Sequence, residues 1–145
     1  MKVSDEPIVV EQSFDNSKEE VWSAITELKQ MREWFFDNIM EFEPRVGFKT
    51  SFALQSGERT FTHLWDITEV VPLEKIEYRW RYKEYPGISF VKFELNEKAG
   101  STRLRLSTMV IADFPDGIPE FKRESGVQGW NYFIGEQLRA YLEKP

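Results

Sequence analysis

Ile76, Tyr78, Trp80 and Tyr82 alternate strictly with Glu77, Arg79 and Arg81. Successive side chains of a strand point to opposite faces, so this run carries one apolar face and one charged face. An antiparallel sheet built from such strands has an apolar side that something must cover. The same period of two recurs around it. Phe61, His63, Trp65 and Ile67 share one face, with Thr62, Leu64, Asp66 and Thr68 on the other. Phe48, Phe52 and Leu54 mark the strand before, and Val91, Phe93 and Leu95 the strand after. Thr102, Leu104, Leu106, Thr108 and Val110 alternate with Ser101, Arg103, Arg105 and Ser107. Ile8, Val10 and Phe14 give a first strand near 7–14, and Met40 and Phe42 carry the period-two pattern back to residue 40. Breaks at Pro44–Gly47, Ser56–Glu58, Pro72, Tyr85–Gly87 and Asn96–Gly100 are short, which favours antiparallel neighbours.

Two stretches have helical spacing instead. Ser17-Lys18-Glu19-Glu20 is a capping-box pattern, followed by Val21, Ile25 and Leu28 with Trp22 beside them. Met31 to Phe36 reads as a second short helix or turn. Asp113–Pro119 reads as a loop. After it, Val127, Trp130, Ile134, Leu138 and Tyr141 form one long apolar stripe. That stripe is the available cover for the sheet, which predicts an α+β domain: a curved antiparallel sheet of about six to seven strands around a long C-terminal helix. Gly126, Gly129 and Gly135 are costly inside a helix, at about 1 kcal/mol each against Ala. Close approach to the sheet or to a bound molecule would explain them; an ordinary imperfect helix is the alternative.

The 145 residues make one domain, 1–145. With 19 basic and 25 acidic residues the net charge is −6, which argues against nucleic acid and against an anionic membrane surface. No apolar run is long enough for membrane insertion. There is no cysteine, which excludes disulfides, thiolate catalysis and Cys-ligated zinc or iron–sulfur sites, and with one histidine no metal or cofactor is expected. The opening residues MKVSDEP carry no apolar leader, and a reducing cytoplasm is the expected location.

If the aromatic faces point at the helix, the interior receives Phe48, Phe52, Phe61, His63, Trp65, Tyr78, Trp80, Phe93, Leu104, Leu106 and Thr108, with Trp130, Phe133 and Ile134 from the helix. These rings either fill the core or line a void. In the second case His63, Tyr78, Thr108 and the indoles of Trp65, Trp80 and Trp130 are the orienting polar groups. His63 is either a functional base or donor, or a neutral histidine satisfied by hydrogen bonds. No nucleophile elbow, metalloprotease motif, phosphate loop or dinucleotide fingerprint is present, so no catalytic residue is assigned. Glu19-Glu20 fits a helix cap and Glu41 with Glu43 an exposed edge. Arg79, Arg81, Arg103 and Arg105 lie on the outer face, either solvated and paired with acids such as Glu77 and Glu94, or docking an acidic partner.

The order and spacing of several short motifs resemble the START-like (SRPBCC) superfamily, in the branch named for the activator of the heat-shock-protein-90 ATPase. They are Glu20-Val21-Trp22-Ser23-Ala24-Ile25-Thr26, Trp34-Phe35, Glu43-Pro44-Arg45-Val46-Gly47 and Ile67-Thr68-Glu69-Val70-Val71-Pro72. Ile76-Glu77-Tyr78-Arg79-Trp80, Thr102-x-Leu104-x-Leu106, Gly129-Trp130 and Leu138 complete the set, which spans about residues 8 to 143. The resemblance implies a helix-grip fold with two short helices after the first strand and a hydrophobic cavity between sheet and helix. It implies binding of an apolar or aromatic small molecule such as a lipid or polyketide. The alternatives are a chaperone-linked protein-interaction module and a cyclase- or hydrolase-like enzyme using the same cavity with His63 or Tyr78. The ligand-binding set it implies is Trp34 and Phe35 near the mouth, Phe52, His63, Trp65, Tyr78, Trp80, Phe93 and Thr108 on the sheet, and Trp130 and Ile134 on the helix. A monomer or weak homodimer is expected.

Overall fold

The computed structural model describes residues 1–144. Strand β1 (Ile8–Phe14) leads into α1 (Lys18–Thr26) and α2 (Leu28–Trp34). Five strands follow: β2 (Lys49–Ser56), β3 (Arg59–Val71), β4 (Lys75–Tyr82), β5 (Ile88–Lys98) and β6 (Ser101–Ala112). They form one six-stranded sheet in the order β1-β6-β5-β4-β3-β2, antiparallel throughout. Then α3 (Arg123–Trp130), a π-helical stretch (Asn131–Leu138) and α4 (Arg139–Glu143) run on as one C-terminal helix.

The alternating pattern fixes which face is inside. Every sheet residue expected in the interior is buried, from Phe48 and Phe52 through Leu106 and Thr108. One irregularity could have reversed this. The register of β3 against β4 slips between Ile67 and Glu69, so the inward position passes from Ile67 to Val70, opposite Ile76. His63 and Trp65 precede the slip and keep their inward phase, opposite Tyr82 and Trp80.

α1 forms because Ser17 caps it. The Ser17 hydroxyl accepts the Glu20 amide at 3.1 Å, and the Ser17 amide donates to the Glu20 carboxylate at 3.3 Å. Bonds to the carboxylate from the Asn16 side chain and from the Ser17 amide and hydroxyl hold the Glu20 carboxyl below its ordinary range. Glu27 is extended, so the chain breaks and restarts as α2, which covers 28–34 rather than the expected 31–36. The expected pairing around residue 40 is also corrected. Residues 37–48 are irregular, which limits the sheet to six strands. Met40 is 67% exposed, whereas Phe42 turns in, edge-on to Trp65 and Tyr78. The turn at Pro44–Gly47 is then hooked to β3 by the Gly47 amide on the Ile67 carbonyl at 2.9 Å. Pairing of β5 with β6 runs to Lys98 opposite Ser101, leaving a tight turn at Ala99-Gly100 with both residues at positive φ.

The C-terminal helix buries Trp130, Ile134 and Leu138 against the sheet. These residues repeat every fourth position, and a π-helix, with i→i+5 bonds and a wider turn than α, keeps such a repeat on one face. On the outer sheet face Arg79, Arg103 and Arg105 are paired with acids, whereas Arg81 makes no ion pair among the described residues and its Nε has no hydrogen-bond partner. Arg105 meets Glu94 at 3.8 Å, Arg103 meets Glu11 at 3.5 Å, and the Arg79 Nε donates to Asp66 at 3.1 Å. Glu77 is engaged by Lys92 at 3.9 Å.

Candidate functional site

The inner surface of the sheet divides into a filled end and an open end. At the filled end, Phe35 and Phe42 act as plugs. Phe35 stacks on Trp34 at 4.7 Å and packs against Trp65 at 5.6 Å and Phe133 at 5.0 Å. Trp34 is fixed by its indole N–H, which donates to the Ala24 carbonyl at 2.7 Å. At the open end, under α3, lies a cavity of about 360 Å³, open on one side.

Five of the six strands contribute to its wall. Leu54 and Ser56 come from β2, Phe61 and His63 from β3, and Trp80 and Tyr82 from β4. Ser89 and Val91 come from β5 and Thr108 from β6. The far side is Ser125, Gly126, Gly129 and Trp130 of α3, with Phe133 beyond. The segment read as a loop supplies Phe114, and the 3₁₀ turn Pro119–Phe121 after it supplies Glu120 and Phe121. Phe114 and Phe121 are buried with Phe61 in a second aromatic cluster, with Tyr82 and Tyr85 packed against it. Gly87 in the β4–β5 turn makes room for it. Its φ is +118°, and a Cβ there would lie 2.3 Å from the Phe114 ring.

Of the residues expected to bind ligand, His63, Trp80, Thr108 and Trp130 lie on this wall. Trp34, Phe35, Phe52, Trp65, Tyr78, Phe93 and Ile134 do not; they are buried in the packed core. The cause is the pair of plugs: Phe42 covers Trp65 and Tyr78, and Phe35 covers Phe93, so no free surface remains there. Phe52 stacks on the His63 ring at 4.7 Å and 12°, off the cavity wall. Tyr78, offered as an acid or base, is enclosed. Its hydroxyl has no hydrogen-bond partner, and burial pushes the phenol far up.

His63 is 4% exposed. Its Nδ1 bonds the Phe61 carbonyl at 3.1 Å, and Tyr82 and Trp80 stand edge-on to the ring at 4.8 and 5.4 Å. Burial pushes the imidazole down to about 4, against smaller opposing effects of the Phe61 carbonyl and the Glu84 charge. It is therefore neutral at pH 7. No carboxylate or hydroxyl hydrogen-bonds to it among the described residues, so no acid–base pair is formed at this ring. Trp80 Nε1 donates to the Tyr82 hydroxyl at 2.9 Å. Glu120 accepts the Ser56 hydroxyl at 2.6 Å, which holds its carboxyl below the ordinary range, and meets Arg59 at 3.7 Å.

The helical glycines now separate. A Cβ on Gly126 would sit 3.0 Å from Ile8 Cδ1, so this glycine lets α3 approach β1. Gly129 borders the cavity, and a Cβ there would meet nothing within 4 Å. Nothing in the structure explains Gly135. Sequence reasoning missed Phe36, Tyr82, Phe114 and Phe121 as wall residues. The strict alternation of β4 already pointed Tyr82 inward. Phe114 and Phe121 carry no periodic signal.

An open antiparallel sheet closed over a C-terminal helix, with a cavity at one end of their interface, defines a START-like helix-grip protein. The chain belongs to the family described as Activator of Hsp90 ATPase homolog 1-like protein, which matches residues 15–143. A comparison with curated proteins found no match. Among solved structures, CV1439 of Chromobacterium violaceum is similar at 21% identity and TM-score 0.79, over 96% of this chain and 98% of that one. DynU16, a protein of the dynemicin biosynthetic locus, is similar at 22% identity and TM-score 0.76. The match covers 97% of this chain and 48% of DynU16, so this chain spans about half of it. CalU16 of Micromonospora echinospora is similar at 24% identity and TM-score 0.68, over 94% of this chain and 76% of that one. At these identities the likeness establishes the fold. No helix among the described residues is long and apolar enough to cross a membrane.

Proposed function

We propose that the chain binds an apolar or aromatic small molecule in the cavity between the sheet and α3. The observation that carries this reading is the cavity itself: about 360 Å³, walled by aromatic rings with a few polar atoms among them. Ligand sites typically enclose roughly 300–1,000 Å³ and have this mixture of lining groups. The volume is at the small end of that range, which suits a ligand of a few rings. DynU16 shares the fold and comes from a biosynthetic locus, which is consistent with such a role here. The family's name refers to activation of an ATPase; nothing at this site favours that activity, and three of the four outer-face arginines that would dock an acidic partner, Arg79, Arg105 and Arg103, are engaged by Asp66, Glu94 and Glu11.

The test uses the cavity-facing indoles of Trp80 and Trp130 as fluorescent reporters. Titration with flavone is expected to quench them saturably. Gly129→Leu, which places a side chain in the open space beside the cavity, is expected to abolish that response while leaving the far-ultraviolet circular dichroism intact. Absence of saturable quenching in the native chain, or unchanged binding in a folded Gly129→Leu variant, overturns the proposal.

A further inference from the structure

The polar atoms on the cavity wall narrow the ligands it accepts. A carbonyl oxygen only accepts, so the bond from His63 to Phe61 puts the imidazole proton on Nδ1. That bond points back to the histidine's own strand. Nε2, on the opposite side of the ring, keeps its lone pair and has no partner among the described residues. Tyr82 is the converse case. Its oxygen is used as acceptor by Trp80 Nε1, and its own O–H proton has no acceptor among the described residues. The two rings meet edge to face at 4.8 Å, and both residues border the cavity. The cavity wall therefore carries both a ring nitrogen with a free lone pair and an O–H with no acceptor among the described residues. The hydroxyls of Ser89 and Thr108 can both give and accept, and set no such preference.

Charge narrows the choice further. No lysine or arginine side chain borders the cavity. The ammonium of Met1 is turned onto the Phe121 carbonyl. Among the described residues Glu120 is the one carboxylate on the wall, and Arg59 already engages it at 3.7 Å, so a fatty-acid carboxylate or a phosphate would enter without a countercharged side chain on the wall. His63 and Tyr82 stay neutral across ordinary pH, because burial pushes the imidazole down to about 4 and the phenol up to about 12.

We propose that the cavity selects neutral ring compounds that carry a hydroxyl and a carbonyl a few bonds apart, the hydroxyl donating to His63 Nε2 and the carbonyl accepting from Tyr82. This rests on the ligand-binding reading above and specifies its ligand class. The rings of Phe36, Phe61, Trp80, Phe114, Phe121 and Trp130 supply the flat apolar surfaces around that polar pair.

The experiment compares 6-hydroxyflavone, 6-methoxyflavone and oleate as probes, by calorimetry on the native chain and on His63→Phe and Tyr82→Phe. Methylation removes the donor and keeps the carbonyl. The native chain is expected to prefer 6-hydroxyflavone about tenfold or more over both other probes. His63→Phe is expected to erase the preference for the hydroxyl, and Tyr82→Phe to weaken both flavones about equally. A second measurement avoids substitution. His63 is the only histidine, so its ring nitrogens are assigned without ambiguity. The Nε2 resonance is expected to move with 6-hydroxyflavone and to stay with 6-methoxyflavone. Equal affinities with an unmoved Nε2, or tighter binding of oleate, overturn this selectivity and leave the cavity as a ligand site. No saturable binding of any probe overturns the ligand-binding reading and the selectivity with it.

Discussion

Acidification from about pH 7.5 to pH 5 should cost the protein roughly 2 kcal/mol through His63 alone. The buried imidazole titrates near 4 against an ordinary value of 6.5. Between those values the unfolded chain holds the proton and the folded chain does not. Stability therefore falls as the pH drops through this window, is unaffected above it, and has lost the full amount below it. One pKa unit is worth about 1.36 kcal/mol, so the loss reaches about 2 kcal/mol at pH 5 and about 3 kcal/mol at pH 4. A typical domain has only about 5–15 kcal/mol in total. The carboxylates also titrate in this range, so the informative quantity is the difference between the native chain and His63→Phe. Phenylalanine keeps a flat ring against Phe52 and removes the titrating group. Urea denaturation of both proteins at pH 7.5, 6, 5 and 4.5 should show the stability of the native chain falling relative to the variant as the pH drops, by about 2 kcal/mol at pH 5. Parallel curves would refute the reasoning, because they would mean that the imidazole is hydrated enough in the folded state to titrate normally.

The remaining predictions concern packing. Gly87→Ala combines a φ of +118° with a Cβ placed 2.3 Å from the Phe114 ring. It should cost about 2–5 kcal/mol and loosen the Phe61–Phe114–Phe121 cluster, seen as a lowered Tm and altered near-ultraviolet circular dichroism. Tyr78→Phe removes a buried hydroxyl that has no partner, and should raise stability by about 1 kcal/mol in urea denaturation. A loss of similar size would reveal a hydrogen bond, to internal water for example, that the hydroxyl makes in solution.

The sheet was legible in the sequence because a two-residue period states directly which side chains share a face. Tyr78, Trp80, Phe93 and Leu106 are buried as that period requires. The helix was legible from the stripe through Trp130, Ile134 and Leu138, although its π winding was not. The candidate site was only partly legible, since periodicity separates inside from outside but does not separate a filled interior from an open one. That division was made by Phe35 and Phe42, which lie outside regular structure; the period-two run that holds Phe42 forms no strand, and no spacing marks either ring as a plug. They close the cavity over Trp65, Tyr78 and Phe93 and leave it open at His63 and Trp80. Phe114 in the loop and Phe121 in a single 3₁₀ turn escaped because neither belongs to a periodic run. Gly129 was visible as an anomaly, a costly residue in a helix, before its place at the cavity was known.

Two-dimensional ¹H–¹⁵N spectra of the tryptophan indoles, recorded during titration with flavone, test the ligand site most directly. Trp80 and Trp130 border the cavity, while Trp34 lies off its wall with its indole bonded to Ala24. The account predicts that the Trp80 and Trp130 indole signals move saturably and that of Trp34 does not. Unmoved signals at Trp80 and Trp130 throughout the titration, or a response confined to Trp22 and Trp34, would contradict it.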